Sequence, residues 1–334
     1  MTEGRRPVVA VIGPAAGDVP PELDGLTGSA ELRCASNRHE LEVAIADAEV
    51  VLIWDFRSAL LEEVWHRAPR VRWVHVAGAG VDAALFPELV ESEVQVTNAR
   101  GVFDRSIAEF AVAAMLIFAK DLLTTVGLQR SHRWRHRETE MLRGRSALIV
   151  GTGGIGREIA RLSRCLGVEV RGVARSGRRD DVFGTVHPML DLHRVLPAAD
   201  FVVVALPLTR ETEGVFGAEE FRRMKSTARF INVGRGRLVD EWALVAALRS
   251  GEIAGAALDV FHQEPLPADH PLWDMPQVLV SPHMSGDFVG WLDALAAQFA
   301  DNLERFRVGE PLRNVVDKGR GYRRGESKEG PTPS

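Results

Sequence analysis

The apolar run Ala147-Leu148-Ile149-Val150, followed at once by Gly151-Thr152-Gly153-Gly154-Ile155-Gly156, confines this chain more than any other feature. Four apolar residues read as a buried strand, and the glycines then force a tight turn that opens a helix. In that setting the spacing Gly151-x-Gly153-x-x-Gly156 fits a dinucleotide cradle. The first glycine permits the turn, the second lets the backbone approach a pyrophosphate, and the third brings helix against strand. The helix N-terminus adds a positive end that favours phosphate charge. Glycine turns also serve ordinary α/β crossovers, so the motif has to be read with its surroundings.

Those surroundings alternate strand and helix. Apolar runs at 147–150, 168–173, 201–205, 229–233, 255–259 and 278–281 predict six short strands in one block, the strand count of a dinucleotide-binding sheet. Earlier runs at 8–12, 50–54 and 71–76 are separated by segments with helical spacing at 40–47 and 60–67, a second small α/β unit. Such alternation predicts parallel sheets covered on both faces. A helix is expected over 106–125, a basic segment over 129–137, and an amphipathic helix over 289–308 with Trp291, Leu295, Phe299, Leu303 and Phe306 on one side. From 317 to 334 apolar periodicity ends, which predicts a disordered tail.

Length and charge narrow the field. The 334 residues suffice for two domains of ordinary size. A net charge of −5 argues against nucleic acid as a partner. The two cysteines, Cys34 and Cys165, match neither a disulfide framework nor a metal-ligand spacing, so no metal is expected. Residues 1–7 lack the apolar stretch of a secretory signal. The apolar stretch 107–119 carries Glu109 and is too short to span a bilayer, so it reads as a buried core helix. A cytoplasmic protein without a membrane partner is the expectation.

The end of the second cofactor-domain strand bears on which dinucleotide is held. An NAD site usually places an acid roughly 20 residues after the first glycine, for the ribose hydroxyls. Here the chain runs Val170-Arg171-Gly172-Val173-Ala174-Arg175-Ser176-Gly177-Arg178-Arg179, with no acid before Asp180. Arg175 and Arg178 suit a 2′-phosphate, and Ser176 can donate to it. NADP(H) is therefore the expected preference, with NAD(H) possible; the alternative is a solvated basic loop.

Three later phrases, each after an apolar run, supply polar groups. Asn232-Val233-Gly234-Arg235-Gly236-Arg237 sets Arg235 between glycines, leaving room for a carboxylate to meet its planar fork. Arg237 is its rival, and it could instead face solvent or pair with Asp240 or Glu241. Ser281-Pro282-His283 offers an imidazole, whose ordinary pKa near neutrality suits a general acid. Glu264, before Pro265, could hold that ring and favour its protonated form, or be an exposed loop acid. Asp259 could accept from a nicotinamide amide or cap the following segment. Phe103 is a pocket wall or a core aromatic, and Trp134 reaches an active site or a subunit partner.

Together these phrases resemble the D-isomer-specific 2-hydroxyacid dehydrogenases, and within them the glyoxylate/hydroxypyruvate reductase-like members. The likeness also rests on Val76-Ala77-Gly78-Ala79-Gly80-Val81-Asp82, Thr97-Asn98-Ala99-Arg100-Gly101, Ile107-Ala108-Glu109 and Ala205-Leu206-Pro207-Leu208-Thr209-Arg210-Glu211-Thr212. It covers nearly the whole chain. The resemblance implies two Rossmann-like domains, doubly wound parallel sheets with a central cleft that closes over the ligands. The substrate domain would comprise 1–100 plus 287–316, the dinucleotide domain 101–286. It implies Arg235, Glu264 and His283 as the catalytic trio. Gly151, Gly153, Gly154, Ile155, Gly156, Leu206, Pro207, Thr212, Val233, Gly234, Asp259 and Gly286 would meet the cofactor. Gly78, Ala79 and Gly80, with Arg235 and His283, would meet the substrate.

The implied activity is NAD(P)H-dependent reduction of a small 2-keto acid such as glyoxylate, hydroxypyruvate or a pyruvate-like compound to a D-2-hydroxy acid, in a homodimer. Two other readings keep the fold: a nucleotide-sensing corepressor-like binding protein, and a formate- or phosphite-type dehydrogenase. The intact Arg235, Glu264 and His283 disfavour the first. Gly78 departs from relatives, which often carry a polar residue there.

Overall fold

Residues 6–55 and 57–321 are described by the computed structural model. The chain builds one unit up to Val102, forms a second from Phe103 to Phe288, and returns to the first at Val289. The first unit carries β1 (Val8–Ile12), β2 (Glu31–Ala35), β3 (Val50–Ile53), β4 (Trp73–Val76) and β5 (Gln95–Asn98), with α1 (Arg38–Ile45), α2 (Ala59–Val64) and α3 (Pro87–Glu91). All pairings are parallel, in the order β2-β1-β3-β4-β5.

β1 shows why the strands read as unbroken apolar runs. Val8, Ala10 and Ile12 enter one core with Leu41 and Ile45 of α1 and Leu61 and Val64 of α2. Val9 and Val11 enter another, with Phe299 and Leu303 of the returning chain. Both faces are covered, so no position is left for a polar side chain. The strands β2 and β5 had no such signature, since Glu31-Leu32-Arg33-Cys34-Ala35 lies at the sheet edge and Gln95-Val96-Thr97-Asn98 is half polar.

The second unit opens with α4 (Asp104–Ala119) and α5 (Leu122–Arg130). It continues through β6 (Ser146–Val150), α6 (Gly154–Cys165), β7 (Glu169–Ala174), β8 (Arg178–Asp180), β9 (Gly184–Pro188), α7 (Leu192–Val195) and β10 (Phe201–Val204). It then runs through α8 (Ala218–Arg223), β11 (Arg229–Asn232), α9 (Glu241–Ser250), β12 (Gly255–Leu258) and β13 (Val278–Val280). The sheet order is β13-β12-β11-β10-β6-β7-β9-β8. Every pairing is parallel except the edge hairpin β8–β9. That hairpin raises the expected six strands to eight; Arg178-Arg179-Asp180 is polar on both faces and carries no apolar signal.

The helix expected over 106–125 is two helices. α4 stops at Ala119, Asp121 takes a left-handed conformation at φ 48°, and α5 departs at 66°. Arg137 locks the corner, donating from Nε to Asp121 Oδ2 at 2.5 Å and from Nη2 to the Asp121 carbonyl at 2.6 Å. Seven residues of α4 are buried and none of α5. No single helix among the described residues is long and apolar enough to cross a membrane.

The returning helix α10 (Trp291–Val308) belongs to the first unit and buries Leu295, Ala296, Phe299 and Leu303. Beyond it, part of the expected tail is held: Lys318 Nζ donates to the carbonyls of Leu89 and Ser92 at 2.9 and 2.5 Å. Residues 322–334 of that tail lie outside the described residues.

Behind β4 the core contains a histidine. His75 is fully buried; its Nδ1 lies 2.8 Å from Thr97 Oγ1, which also accepts from Trp73 Nε1 at 2.8 Å. Its Nε2 has no hydrogen-bond partner, and the ring lies 5.4 Å from that of Phe299. Burial pushes its pKa down to about 3, so it stays neutral where an unfolded histidine would bind a proton. Its contribution is intact above the unfolded value near 6.5 and is lost as pH falls toward 3. One unit below the unfolded pKa the unfolded state gains about 1.4 kcal/mol from this group. Replacing His75 with Leu removes that share. Chemical denaturation at pH 7.5 and 5.5 should therefore show a smaller loss for the variant, by about 1.4 kcal/mol; equal losses would contradict the assignment.

Candidate active site

Because β6, β7 and β10 to β13 are parallel neighbours, their carboxyl ends share one edge of the sheet, where such folds bind ligands. The polar residues singled out above lie just past those ends. Gly151 follows β6, Arg175 follows β7, and Leu206 and Pro207 lie beyond β10; Val233, Gly234 and Arg235 follow β11, Asp259 follows β12, and Ser281 precedes His283 after β13.

The glycine turn is enforced by contact. A β-carbon on Gly151 would stand 2.3 Å from the Ala205 carbonyl oxygen, and Gly151 itself has φ 110°. On Gly156 it would stand 1.9 Å from the Gly151 carbonyl oxygen. Gly153, in contrast, has nothing within 4 Å of that position and caps α6, so backbone there is open to a ligand. Ile155 continues the first turn of α6. A dinucleotide pyrophosphate therefore fits the turn: the tight glycines shape it and the open one admits the phosphates. Nearby, Gly234 abuts the Leu206 carbonyl, 2.9 Å from its would-be β-carbon, and Val233 N donates to the Val204 carbonyl at 3.0 Å. Thr212 Oγ1 donates to the Pro207 carbonyl at 2.7 Å, closing the loop after β10. Gly286 lies flat on the Phe103 ring, which is buried.

Past β7, Arg175, Ser176 and Arg178 are exposed. Arg178 Nη2 donates to Thr152 Oγ1 at 2.9 Å, which ties the basic loop to the glycine turn. Asp180 lies 3.5 Å from Arg178 Nη2, but its closer partners are elsewhere. Its carboxylate accepts from Arg157 Nη1 at 2.9 and 2.7 Å and from the amides of Val182 and Phe183 at 2.9 and 3.2 Å. Burial would raise its pKa, yet those amides and Arg157 hold it below the ordinary range. The first acid after the strand thus faces inward. Across the turn, Glu211 is held low by a Thr209 hydrogen bond and its own amide, then by the charges of Arg175 and Arg210.

His283 Nδ1 lies 2.7 Å from Glu264 Oε2, while Glu264 Oε1 accepts from the Phe261 amide at 2.9 Å. Burial pushes the Glu264 carboxyl up, but His283, the Phe261 amide and the charges of His283 and Arg235 together hold it low. Arg235 Nη1 donates to the Gly234 carbonyl at 2.9 Å, and Asn232 Nδ2 holds the Arg235 carbonyl at 3.0 Å. A β-carbon on Gly236 would stand 2.0 Å from the Phe261 carbonyl carbon, so the arginine loop lies directly on the segment that carries Glu264. Arg237 pairs with Glu213 at 2.6 Å, not with Asp240 or Glu241.

His283 itself has φ 54°, a conformation that non-glycine residues rarely adopt without support. The support is Asp259. Its carboxylate is 1% exposed; Oδ1 accepts from Ser281 Oγ at 2.6 Å, Met284 N at 2.9 Å and Ser285 N at 3.1 Å, and Oδ2 lies 3.1 Å from Ser285 N. Sequence reading singled out neither Ser281 nor Thr152. Each acts on a partner distant in the chain, which no local spacing announces.

In the first unit, Gly78, Ala79 and Gly80 form the loop after β4. Asn98 Nδ2 donates to the Ala79 carbonyl at 2.5 Å and Ala99 N to the Gly78 carbonyl at 2.9 Å. The nearest atoms to a β-carbon on Gly78 would be 3.8 Å away, so packing does not demand glycine there.

Comparison with known proteins identifies the family. Residues 112–285 match the profile of the D-isomer specific 2-hydroxyacid dehydrogenase NAD binding domain. The chain belongs to the D-isomer-specific 2-hydroxyacid dehydrogenase family. It is therefore an enzyme of an NAD(P)-dependent oxidoreductase family. A glyoxylate reductase of Korarchaeum cryptofilum is 34% identical over 278 residues, 81% of this chain and 83% of that one. The crystal structure of a family member from Xanthobacter autotrophicus, in complex with NADPH and MES, is similar with a TM-score of 0.78 and 32% identity, covering 95% of this chain and 100% of that one. An NADPH-dependent glyoxylate/hydroxypyruvate reductase from Sinorhizobium meliloti, in complex with NADP and sulfate, gives 0.80 and 27%, covering 94% and 99%.

The Asp259 cluster in this dehydrogenase makes a kinetic prediction. Asp259→Ala leaves the Met284 and Ser285 amides unpaired and frees the histidine loop, so turnover should fall about 100-fold, the usual effect of an ångström-scale misplacement. Ser281→Ala removes one bond and should cost less than about tenfold. Steady-state rates that rank the two in the opposite order would exclude the clamp.

Proposed function

We propose that the enzyme reduces small 2-keto acids of the glyoxylate, hydroxypyruvate and pyruvate-like class to D-2-hydroxy acids, using NADPH in preference to NADH. The observation that carries this reading is the 2.7 Å contact between His283 Nδ1 and Glu264 Oε2. It commits one ring nitrogen to a carboxylate, which supports Nε2 as the atom that delivers the proton. Bound reduced nicotinamide would supply hydride for the carbonyl carbon. As negative charge grows on the carbonyl oxygen, His283 Nε2 gives it a proton, and Glu264 steadies the imidazolium. Arg235 grips the substrate carboxylate with its planar fork and polarises the keto group. The amides of Ala79 and Gly80 are assigned to the same substrate.

For the cofactor, Gly151 to Gly156 would hold the pyrophosphate, Leu206, Pro207 and Thr212 the adenosine side, and Val233, Gly234, Asp259 and Gly286 the nicotinamide side. Arg175, Ser176 and Arg178 would take the 2′-phosphate. The pairing of Asp180 with Arg157 supports that choice, because the first acid after β7 is already engaged and largely buried. A homodimer is part of the reading, supported by α5 without buried residues and by exposed Leu122, Val126, Trp134 and Met141. A cytoplasmic setting is supported by the two unpaired cysteines.

Oxidation of NADPH and NADH against a panel of 2-keto acids tests the activity. His283→Ala should lower kcat by about 10²–10⁴-fold, the usual worth of a general acid, while leaving NADPH affinity within about twofold. Near-normal turnover would remove His283 from the chemistry. Arg175→Ala should raise KM for NADPH about tenfold or more, the scale of one charge-assisted phosphate contact, and leave that for NADH nearly unchanged. Equal changes for both cofactors would defeat the 2′-phosphate assignment.

A further inference from the structure

Asp104 opens α4, and its carboxylate comes to rest against the first turn of α6. A β-carbon on Gly154 would stand 2.2 Å from Asp104 Oδ2, 3.0 Å from Cγ and 3.3 Å from Oδ1. Gly154 is the first residue of α6, directly after the cap Gly153. Glycine is a poor residue inside a helix, and here its missing side chain is what admits the acid. The same turn offers unsatisfied amide donors and the positive end of the helix, the features that suit it to a pyrophosphate. A carboxylate and a diphosphate seated on this turn would thus draw on one patch of positive potential while repelling each other.

We propose that Asp104 is a built-in counter-charge at the pyrophosphate seat, lowering affinity for the dinucleotide and hastening its release. The inference rests on the reading that residues 151–156 hold that pyrophosphate. In the ligand-free protein the carboxylate neutralises the end of α6 and stabilises it. When the diphosphate arrives, the same helix end must serve two anions, and binding is weaker than the cradle alone would give. Gly154 and Asp104 therefore act as a pair: any side chain at 154 would push the acid away. Neither residue touches the reacting carbonyl in this account, so the effect falls on cofactor affinity and exchange.

Calorimetric titration of the full-length chain with three ligands tests this: NADPH, 2′-phospho-ADP-ribose, which has the pyrophosphate but no nicotinamide, and 2′-AMP, which has neither. Asp104→Asn should bind the first two about tenfold tighter at low salt, with the gain shrinking as salt screens the charges. Binding of 2′-AMP should not change, which also shows that the variant is folded. The thermal midpoint of the ligand-free variant should fall, because the helix end has lost its anion. Unchanged or weaker binding of 2′-phospho-ADP-ribose, with 2′-AMP binding retained, overturns the proposal. A different failure marks the cofactor reading itself. If wild type binds 2′-phospho-ADP-ribose no better than 2′-AMP, the glycine turn does not hold a pyrophosphate and the counter-charge falls with it.

Discussion

One buried carboxylate sets the geometry on which the proposed chemistry depends. Asp259 accepts from Ser281 Oγ and from the amides of Met284 and Ser285, and so folds the loop after β13 back onto the end of β12. A buried carboxylate without partners would be costly, so the cluster is self-enforcing: the acid needs the amides, and the amides fix the loop. His283 is held between them at a positive φ. From there its ring reaches Glu264, whose other oxygen is anchored on the Phe261 amide.

The parallel sheet supplies the stage for this arrangement. Seven of its eight strands run in the same direction and end at one edge, which brings residues from distant stretches of chain into register there. Close backbone contacts then tie neighbouring loops together. Gly151 lies on the Ala205 carbonyl, Gly234 on that of Leu206, and Gly236 on that of Phe261. Each contact excludes a β-carbon, so glycine at these positions is a packing requirement as much as a ligand requirement. Gly153 is the exception, with open space beside it.

Apolar runs placed the strands well where both faces are covered, as in β1, β3, β6, β10, β11 and β12. Boundaries shifted by a residue or two, mainly because the residue just past a strand end, apolar Trp54, Ala205 and Val233 as well as polar Asp259 and Ser281, had been counted inside. The runs said nothing of β2, β5, β8 or β9, where an edge position or polar side chains erase the pattern. Helical spacing ran straight through Lys120 and Asp121, although the chain turns there. The corner depends on Arg137, 16 residues away from Asp121, and no window along the sequence contains that information. The family likeness was legible because its phrases are local, most of them a strand end with the residues that follow it.

What the sequence determined by itself was the architecture and the chemical inventory: alternating apolar runs dictate layered parallel sheets, and glycine spacing dictates a strand–turn–helix. Burial of apolar surface and backbone freedom are properties of neighbouring residues, so they can be read along the chain. Only the tertiary structure decided which groups meet. Asp180 turns inward to Arg157, Arg178 reaches Thr152, Asp104 rests on Gly154, and Asp259 gathers the histidine loop. Those partners are separated by 22 to 50 residues, and a charged side chain carries no sign of its partner until the backbone has brought the two together.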